Sequence, residues 1–434
     1  MNGDRQKNSS AALDLASEAR EEARKAVSTG RYQQAMELVR GGLEHLESVP
    51  PSKERETVRH GLILERGWAK RFVGEFERGL ADFQLVREEA ESQRDRIRAL
   101  VGIGDAHSKL GNYNAATEAY RQALEEADGT DDLTSRIRGL KGLGSIYYRQ
   151  GRMEDAIEAL NRARALLRKQ PDAFDLGDVM LTLGIVYNFS GRFEQAIKAD
   201  REALNCFRTV GLDHGVVLAL NNLGEVHQEL YDLDTALRYH REALEAASAV
   251  EVLTIEVDVR RNIGVDLARM ERYSEAMSYL KDALALARER AERDVAMQVV
   301  YSLGDAYLRQ GQVDRALAQA QELEAEAEAV QGEFHLTRAM LLQGRGYLAR
   351  GERQRAQAVL QDALANAHAL PSRILLWELH AALGRASVDP EVARIHLQIA
   401  ADFIHQTIEP LSDSRIRNNF LERPEVKAVL RGVA

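Results

Sequence analysis

The sequence predicts an all-α solenoid of about ten helical hairpins. Three observations predict it: a 40-residue spacing of glycines, columns of small residues in register with them, and a composition rich in helix formers. The glycines are Gly104, Gly144, Gly184, Gly224, Gly264, Gly304, Gly344 and Gly384. Twelve residues after seven of them stands an alanine: Ala116, Ala156, Ala196, Ala236, Ala276, Ala316 and Ala356. A second column follows at Ala123, Ala163, Ala203, Ala243, Ala283, Leu323 and Ala363. A fixed period of about 20 to 50 residues marks stacked units, none of which can bury its apolar face alone.

Composition narrows the function classes. Of 434 residues 45% are hydrophobic and 29% charged, with 31 glycines but only 7 prolines. The formal net charge of −10 argues against a sequence-independent phosphate binder, so no nucleic-acid partner is expected. Cys206 is the single cysteine, which leaves neither an intrachain disulfide nor a zinc site of paired thiolates. The opening residues lack an apolar signal core, and no stretch approaches the roughly 18 apolar residues of a membrane span. The expected location is therefore cytoplasmic, with no membrane partner.

The elements follow in chain order. Residues 1–96 read as degenerate first units and a cap: Gly30, Tyr32 and Ala35 mark one, Gly67, Gly74 and Phe76 another, and the Pro50-Pro51 pair is a turn between them. Gly79 stands there in the place of the usual alanine. Residues 97–371 form the regular array. In one unit, Leu140, Leu143, Gly144 and Tyr147 fall on one face of a first helix, which Gly151 closes as a left-handed C-terminal residue. Met153 to Leu167 forms the second helix, with Ala156, Ile157, Leu160 and Ala163 inward. The small residues let paired helices approach closely. Residues 372–407 are a shortened last unit whose second helix opens at Asp389-Pro390, an N-cap followed by proline in the first turn. Residues 408–434 lack the repeat columns and read as capping helices, the last opened by Pro424.

These motifs resemble the tetratricopeptide repeat family. Its pattern is met by Leu143, Gly144, Tyr147, Gly151, Met153, Ala156 and Ala163. It is met again by Leu183, Gly184, Tyr187, Gly191, Phe193, Ala196 and Ala203, and by Leu303, Gly304, Tyr307, Gly311, Val313 and Ala316. The commonest family form is shorter, and the longer period is similar to that of kinesin light-chain and spindle-orientation adaptors. The tail is similar to segments that end repeat regions of bacterial signalling ATPases, cyclases and kinases. The resemblance implies a right-handed superhelix whose first helices line a concave groove.

No phosphate loop, His-Glu-x-x-His, Gly-x-Ser-x-Gly or Cys-x-x-Cys motif occurs, so no catalytic residue, cofactor or metal is expected. Gly139, Gly142 and Gly144 mimic a nucleotide loop but lie inside a helix. His107 and His227 occupy a tyrosine column and read as packed interhelical rings. Asp200 and His240 share a column otherwise held by Leu160 and Leu280; a mutual hydrogen bond or solvent exposure is expected, since no nucleophile accompanies them. Cys206 reads as a small core residue. The acidic run from Glu322 to Val330 reads as a solvated helix face.

By the family's geometry the groove positions fall in three sets. Arg98, Arg138 and Lys141 form a basic end suited to a partner's acidic side chains, or serve as salt-bridge material. Asn221, Asn222, Gln228 and Asn262 suit the backbone of an extended peptide, or are simply hydrated, and Asn188 is a further groove position. Leu181, Ile185, Leu218 and Tyr301 are apolar anchors, or pack on the solenoid itself. Tyr148, Glu225 and Arg261 complete the surface. Lys141 is followed by Ser145 and Arg261 by Val265, not by the asparagine of the family's carboxylate clamp, so a chaperone C-terminus is not implied as ligand. The expectation is a non-enzymatic adaptor that binds a peptide segment or partner domain in its groove. The alternative is a regulatory or sensor subunit that controls a signalling ATPase, kinase, cyclase or protease in trans, with the tail as docking element.

Overall fold

The structure is a computed structural model and describes residues 2–169, 171–249, 253–367 and 373–433. Among these residues all regular structure is α-helical, in 22 helices. The first hairpins are α1 (Asn2–Ser28) with α2 (Tyr32–Glu47), α3 (Lys53–Phe72) with α4 (Phe76–Glu89), and α5 (Gln93–Lys109) with α6 (Tyr113–Ala127). Next come α7 (Leu133–Arg149) with α8 (Met153–Leu167), α9 (Ala173–Phe189) with α10 (Phe193–Val210), and α11 (Asp213–Glu229) with α12 (Leu233–Ala249). Then follow α13 (Leu253–Arg269) with α14 (Tyr273–Glu289), α15 (Arg293–Arg309) with α16 (Val313–Ala329), and α17 (Glu333–Ala349) with α18 (Arg353–Ala367). The tenth hairpin is α19 (Arg373–Ala386) with α20 (Pro390–Ile408), and α21 (Ser414–Glu422) and α22 (Pro424–Val433) follow it. The expected boundary between residues 371 and 372 lies outside the described residues.

The chain divides into two compact units. The first holds residues 1–182 and 205–212, the second 183–204 and 213–434. Within the first unit α3 packs on α5 and α5 on α7; within the second, α11, α13, α15, α17 and α19 follow one another in the same way. First helices of successive repeats thus touch, which puts them on the inner side of each unit's curvature.

The glycine column works as a notch. A methyl added at Gly144 would lie 2.6 Å from Leu160 Cγ, and the same clash recurs between Gly264 and Leu280 at 2.6 Å and between Gly344 and Leu360 at 2.4 Å. The neighbouring glycines have the same purpose: Gly139 faces Leu124, and Gly142 lies flat against the Tyr120 ring. The nucleotide-loop likeness of this cluster is therefore a packing pattern. Turn glycines such as Gly151 take φ 76°, and Arg152 donates its amide to the Tyr147 carbonyl at 2.8 Å, closing the helix end. Two repeats of the regular array lack the glycine, and Tyr231 and Glu271 adopt the left-handed backbone in its place at φ 58° and 63°. At the other end Asp389 accepts the amides of Glu391 and Val392 ahead of Pro390, as its sequence implies. Cys206 is only half-buried.

Candidate partner-binding face

In the first unit the basic trio is already partnered. Arg98 on α5 reaches back to Glu65 on α3 at 2.7 Å, Arg138 on α7 donates forward to Asp175 on α9 at 2.9 Å, and Lys141 meets Asp178 at 2.7 Å. Desolvation works against the Arg138 charge, yet Asp175 holds its pKa above the ordinary value. These pairs tie successive first helices together. Arg71 pairs with Asp105 at 2.8 Å, and the Tyr120 hydroxyl donates to the same carboxylate. Burial opposes the Asp105 charge, but Arg71 and Lys141 outweigh it and hold its pKa below the usual range. Tyr148 is half-buried, whereas Leu181, read as an exposed anchor, is buried in the wall.

In the second unit the amides bond one another and neighbouring carboxylates. Asn262, 1% exposed, donates to Asn221 Oδ1 at 2.9 Å and to Glu225 Oε1 at 3.0 Å, and Asn221 donates to Glu225 at 3.0 Å. Gln228 is buried too and donates to Asp266 Oδ1 at 2.7 Å and to the Asn262 carbonyl at 3.2 Å. Asn221, Gln228 and Asn262 are therefore not the hydrated side chains that exposure would give. Ile185, Asn188, Leu218, Asn222, Glu225 and Arg261 stay half-buried on the inner side. Arg261 lies 3.6 Å from Asp258 and 3.9 Å from Glu225. Tyr301 is buried beneath the Arg338 guanidinium, whose carbon lies 3.7 Å from the ring centroid. Burial pulls the Arg338 pKa below its usual value, with the neighbouring Arg261 acting in the same sense.

Asp200 and His240 depart from the expected arrangement. Both are 0% exposed, and neither bonds the other. Asp200 accepts from Asn222 at 3.4 Å; His240 Nδ1 lies 2.6 Å from Asp266 Oδ2. Each fills the notch of its glycine, Gly184 or Gly224, where leucine sits in other repeats. His227 is buried as expected, 3.0 Å from Asp232 and beside the Tyr239 ring. The acidic run is a mixed face: Leu323 and Ala327 are buried, and Glu322 and Glu326 both face Arg288.

Burial pushes the Asp200 pKa well above the usual carboxylate range. Above the unfolded value the unfolded chain ionises while the folded one keeps its proton, so stability falls as pH rises from about 4 toward the folded value, by about 1.4 kcal/mol per unit of difference. Asp200→Asn is expected to match the wild type near pH 4 and to be the more stable at pH 8. Urea midpoints across that range test it; a gap that does not widen with pH would refute a neutral Asp200.

The tail is part of the second unit. Ser412 bonds Glu194 at 2.8 Å, Arg415 meets Asp232 at 3.2 Å, and Glu425 meets Arg309 at 2.7 Å. Arg423, 2% exposed, reaches Glu378 at 2.6 Å, Glu425 at 3.4 Å and Glu229 at 3.6 Å, with Trp377 beside it. Phe420, Val426 and Val429 are buried. A small cavity of about 30 Å³, room for one water, lies among Trp377, Phe403, Phe420 and Arg423.

Sequence reading placed Asp105 among the groove positions and missed Asp266, Arg338 and Arg423. A signal for such pairs exists: Arg138 to Asp175 spans 37 residues, as does Glu225 to Asn262, one period less one helical turn. Extending the groove columns to the ninth repeat also finds Arg338. Among the described residues no three His, Cys, Asp or Glu side chains group to hold a metal, and no helix is long and apolar enough to cross a membrane.

Helical hairpins stacked through glycine notches, with a polar ladder along the first helices, define an α-helical repeat scaffold. The chain belongs to the tetratricopeptide repeat family: models of that repeat match residues 97–128, 135–209, 215–289 and 261–330. A Rap protein complexed with competence and sporulation factor is similar at 17% identity and TM-score 0.59, over 86% of this chain and 96% of that one. The apo quorum sensor NprR from B. thuringiensis is similar at 13% identity and TM-score 0.60, over 80% and 97%. A signal-transduction ATPase (STAND) protein with a tetratricopeptide repeat sensor, from Pyrococcus horikoshii, is similar at 16% identity and TM-score 0.52, over 77% and 53%. Comparison with curated protein sequences returned no match.

Proposed function

We propose that the chain is a non-enzymatic, cytoplasmic binding scaffold that receives a peptide segment or partner domain on the inner side of its first helices and acts as an adaptor or regulatory protein. The observation that carries this reading is the polar ladder itself. Stacking needs only notches and apolar ridges, yet the first helices carry amides, carboxylates and guanidinium groups from repeat to repeat. Beside them Ile185 and Leu218 remain half-open, the mixture of fixed polar groups and apolar contacts that peptide recognition uses. The similar proteins support it as described: one is a complex with competence and sporulation factor, one a quorum sensor, one a repeat sensor of an ATPase. The regulatory reading uses the same face, because the tail is engaged in the second unit and is not a free docking element.

The test begins with affinity purification from the native host and mass spectrometry to identify the partner. The triple variant Ile185→Ala, Leu218→Ala, Asn222→Ala then removes half-exposed contacts and spares the buried amides. It is expected to weaken the identified partner at least about tenfold, since a few anchors carry most interface energy. Unchanged affinity in a folded triple variant would overturn the reading.

A further inference from the structure

The inner face of the first unit carries cations that its own carboxylates do not balance. Around Asp105 converge Arg71 from α3, Lys109 from α5 and Lys141 from α7, and Arg149 at the end of α7 adds a fourth cation near Lys109. Two carboxylates answer them, Asp105 at 2.8 Å from Arg71 and Asp178 at 2.7 Å from Lys141. Arg71 and Lys141 are thereby held in place, largely out of solvent. Lys109 and Arg149 are exposed and make no ion pair among the described residues. Water reaches the Lys109 side chain, yet protein partly desolvates its ammonium. Together with the Arg71 and Lys141 charges, this pushes its pKa down to about 8, against the partial opposition of Asp105. Lys109 stands one helical turn beyond Asp105 on α5, so its exposed ammonium adds to the Arg71 and Lys141 charges beside that carboxylate, and an anion offsets the excess.

Resting on the reading that a peptide occupies the inner face, we propose that Lys109 and Arg149, backed by Arg71 and Lys141, form the receptor for an acidic residue of that peptide. The occupant's chemistry follows from charge. In a chain of net charge −10, four cations here meet two paired carboxylates, and a carboxylate accepts from an ammonium or from a guanidinium fork. Arg98 and Arg138, the other basic groups of this face, are neutralised by Glu65 and Asp175 and supply no open charge.

The test uses the full chain and fluorescein-labelled hexaglutamate, read by anisotropy at low salt. Lys109→Gln with Arg149→Gln is expected to weaken binding at least about tenfold, while Arg78→Gln with Arg355→Gln, an equal change of net charge, alters it less than about twofold. The second readout is acetylation of Lys109 at pH 8, followed by mass spectrometry. Saturating hexaglutamate is expected to slow it, and inorganic phosphate at equal charge to leave it unchanged. Equal binding by the Lys109/Arg149 variant overturns the proposal, and so does full protection by phosphate, which would mark a site for free anions. The identified partner separates this failure from that of the wider reading. If the variant keeps the partner while the Ile185/Leu218/Asn222 variant loses it, only the acidic-residue proposal falls.

Discussion

Arg423→Ala is expected to lower the stability of the second unit by about 3–5 kcal/mol, the usual cost of breaking a buried ion pair by removing one partner. The guanidinium is held by Glu229, Glu378 and Glu425 and lies against Trp377. Burial works against its charge, and Glu378 and Glu425 more than compensate. Its loss leaves Glu378 without the cation that holds it, while Glu425 keeps Arg309 and Glu229 keeps Arg269. Arg423→Lys keeps a charge but loses the fork that serves several oxygens at once, so it falls between the two. The pH profile is diagnostic. Burial raises the Glu425 pKa, but Arg423 and Arg309 outweigh it and hold it at about 2. Glu425 therefore contributes stability above its unfolded value, lost as pH falls from about 4.5 toward 2. In Arg423→Ala that acid-side loss should shrink. Urea denaturation at pH 7 and pH 3 decides it; a variant as stable as the wild type at pH 7 would mean that the tail adds nothing to the second unit.

Gly142→Val is expected to cost the first unit about 3 kcal/mol, the upper part of the range for overpacking. A methyl at Gly142 would lie 2.2 Å from Tyr120 Cζ, and Tyr120 cannot move aside: it is 1% exposed, its ring also abuts Gly104, and its hydroxyl is bonded to Asp105. Because stability in a repeat array is shared mainly between neighbours, the effect should be local. Hydrogen exchange should show lost protection in α5, α6 and α7 and unchanged protection in α17 through α20. Equal loss in both places would refute nearest-neighbour packing as the basis of this fold.

The hairpins were readable because their signals are local or repeat at one period. Gly144 with Leu160 and the Asp389-Pro390 cap are nearest-neighbour facts, and each keeps its place in the structure. The binding surface was less readable. Its columns were legible, but Leu181 and Tyr301 turned out buried, and Asn221 and Asn262 engage each other. Whether a polar residue at such a position faces solvent depends on what the next repeat places opposite it. Asp200 and His240 show the same limit: sharing a column suggested a pair, whereas Asn222 and Asp266 were the nearer partners.

The sequence by itself determined an all-α array of stacked hairpins, since glycine notches and small columns encode contacts that every repeat makes alike. Only the tertiary structure decided which charges are spent and which stay open. Arg98, Arg138 and Arg423 reach the carboxylates of Glu65, Asp175 and Glu378, 33 to 45 residues away, and Arg423 also Glu229 at a greater separation and Glu425 two residues on. Lys109 meets none within ion-pairing distance among the described residues. Ion pairing needs oxygens within about 4 Å; a period can set two residues opposite each other, but the direction of side chains from several helices at once decides whether they meet.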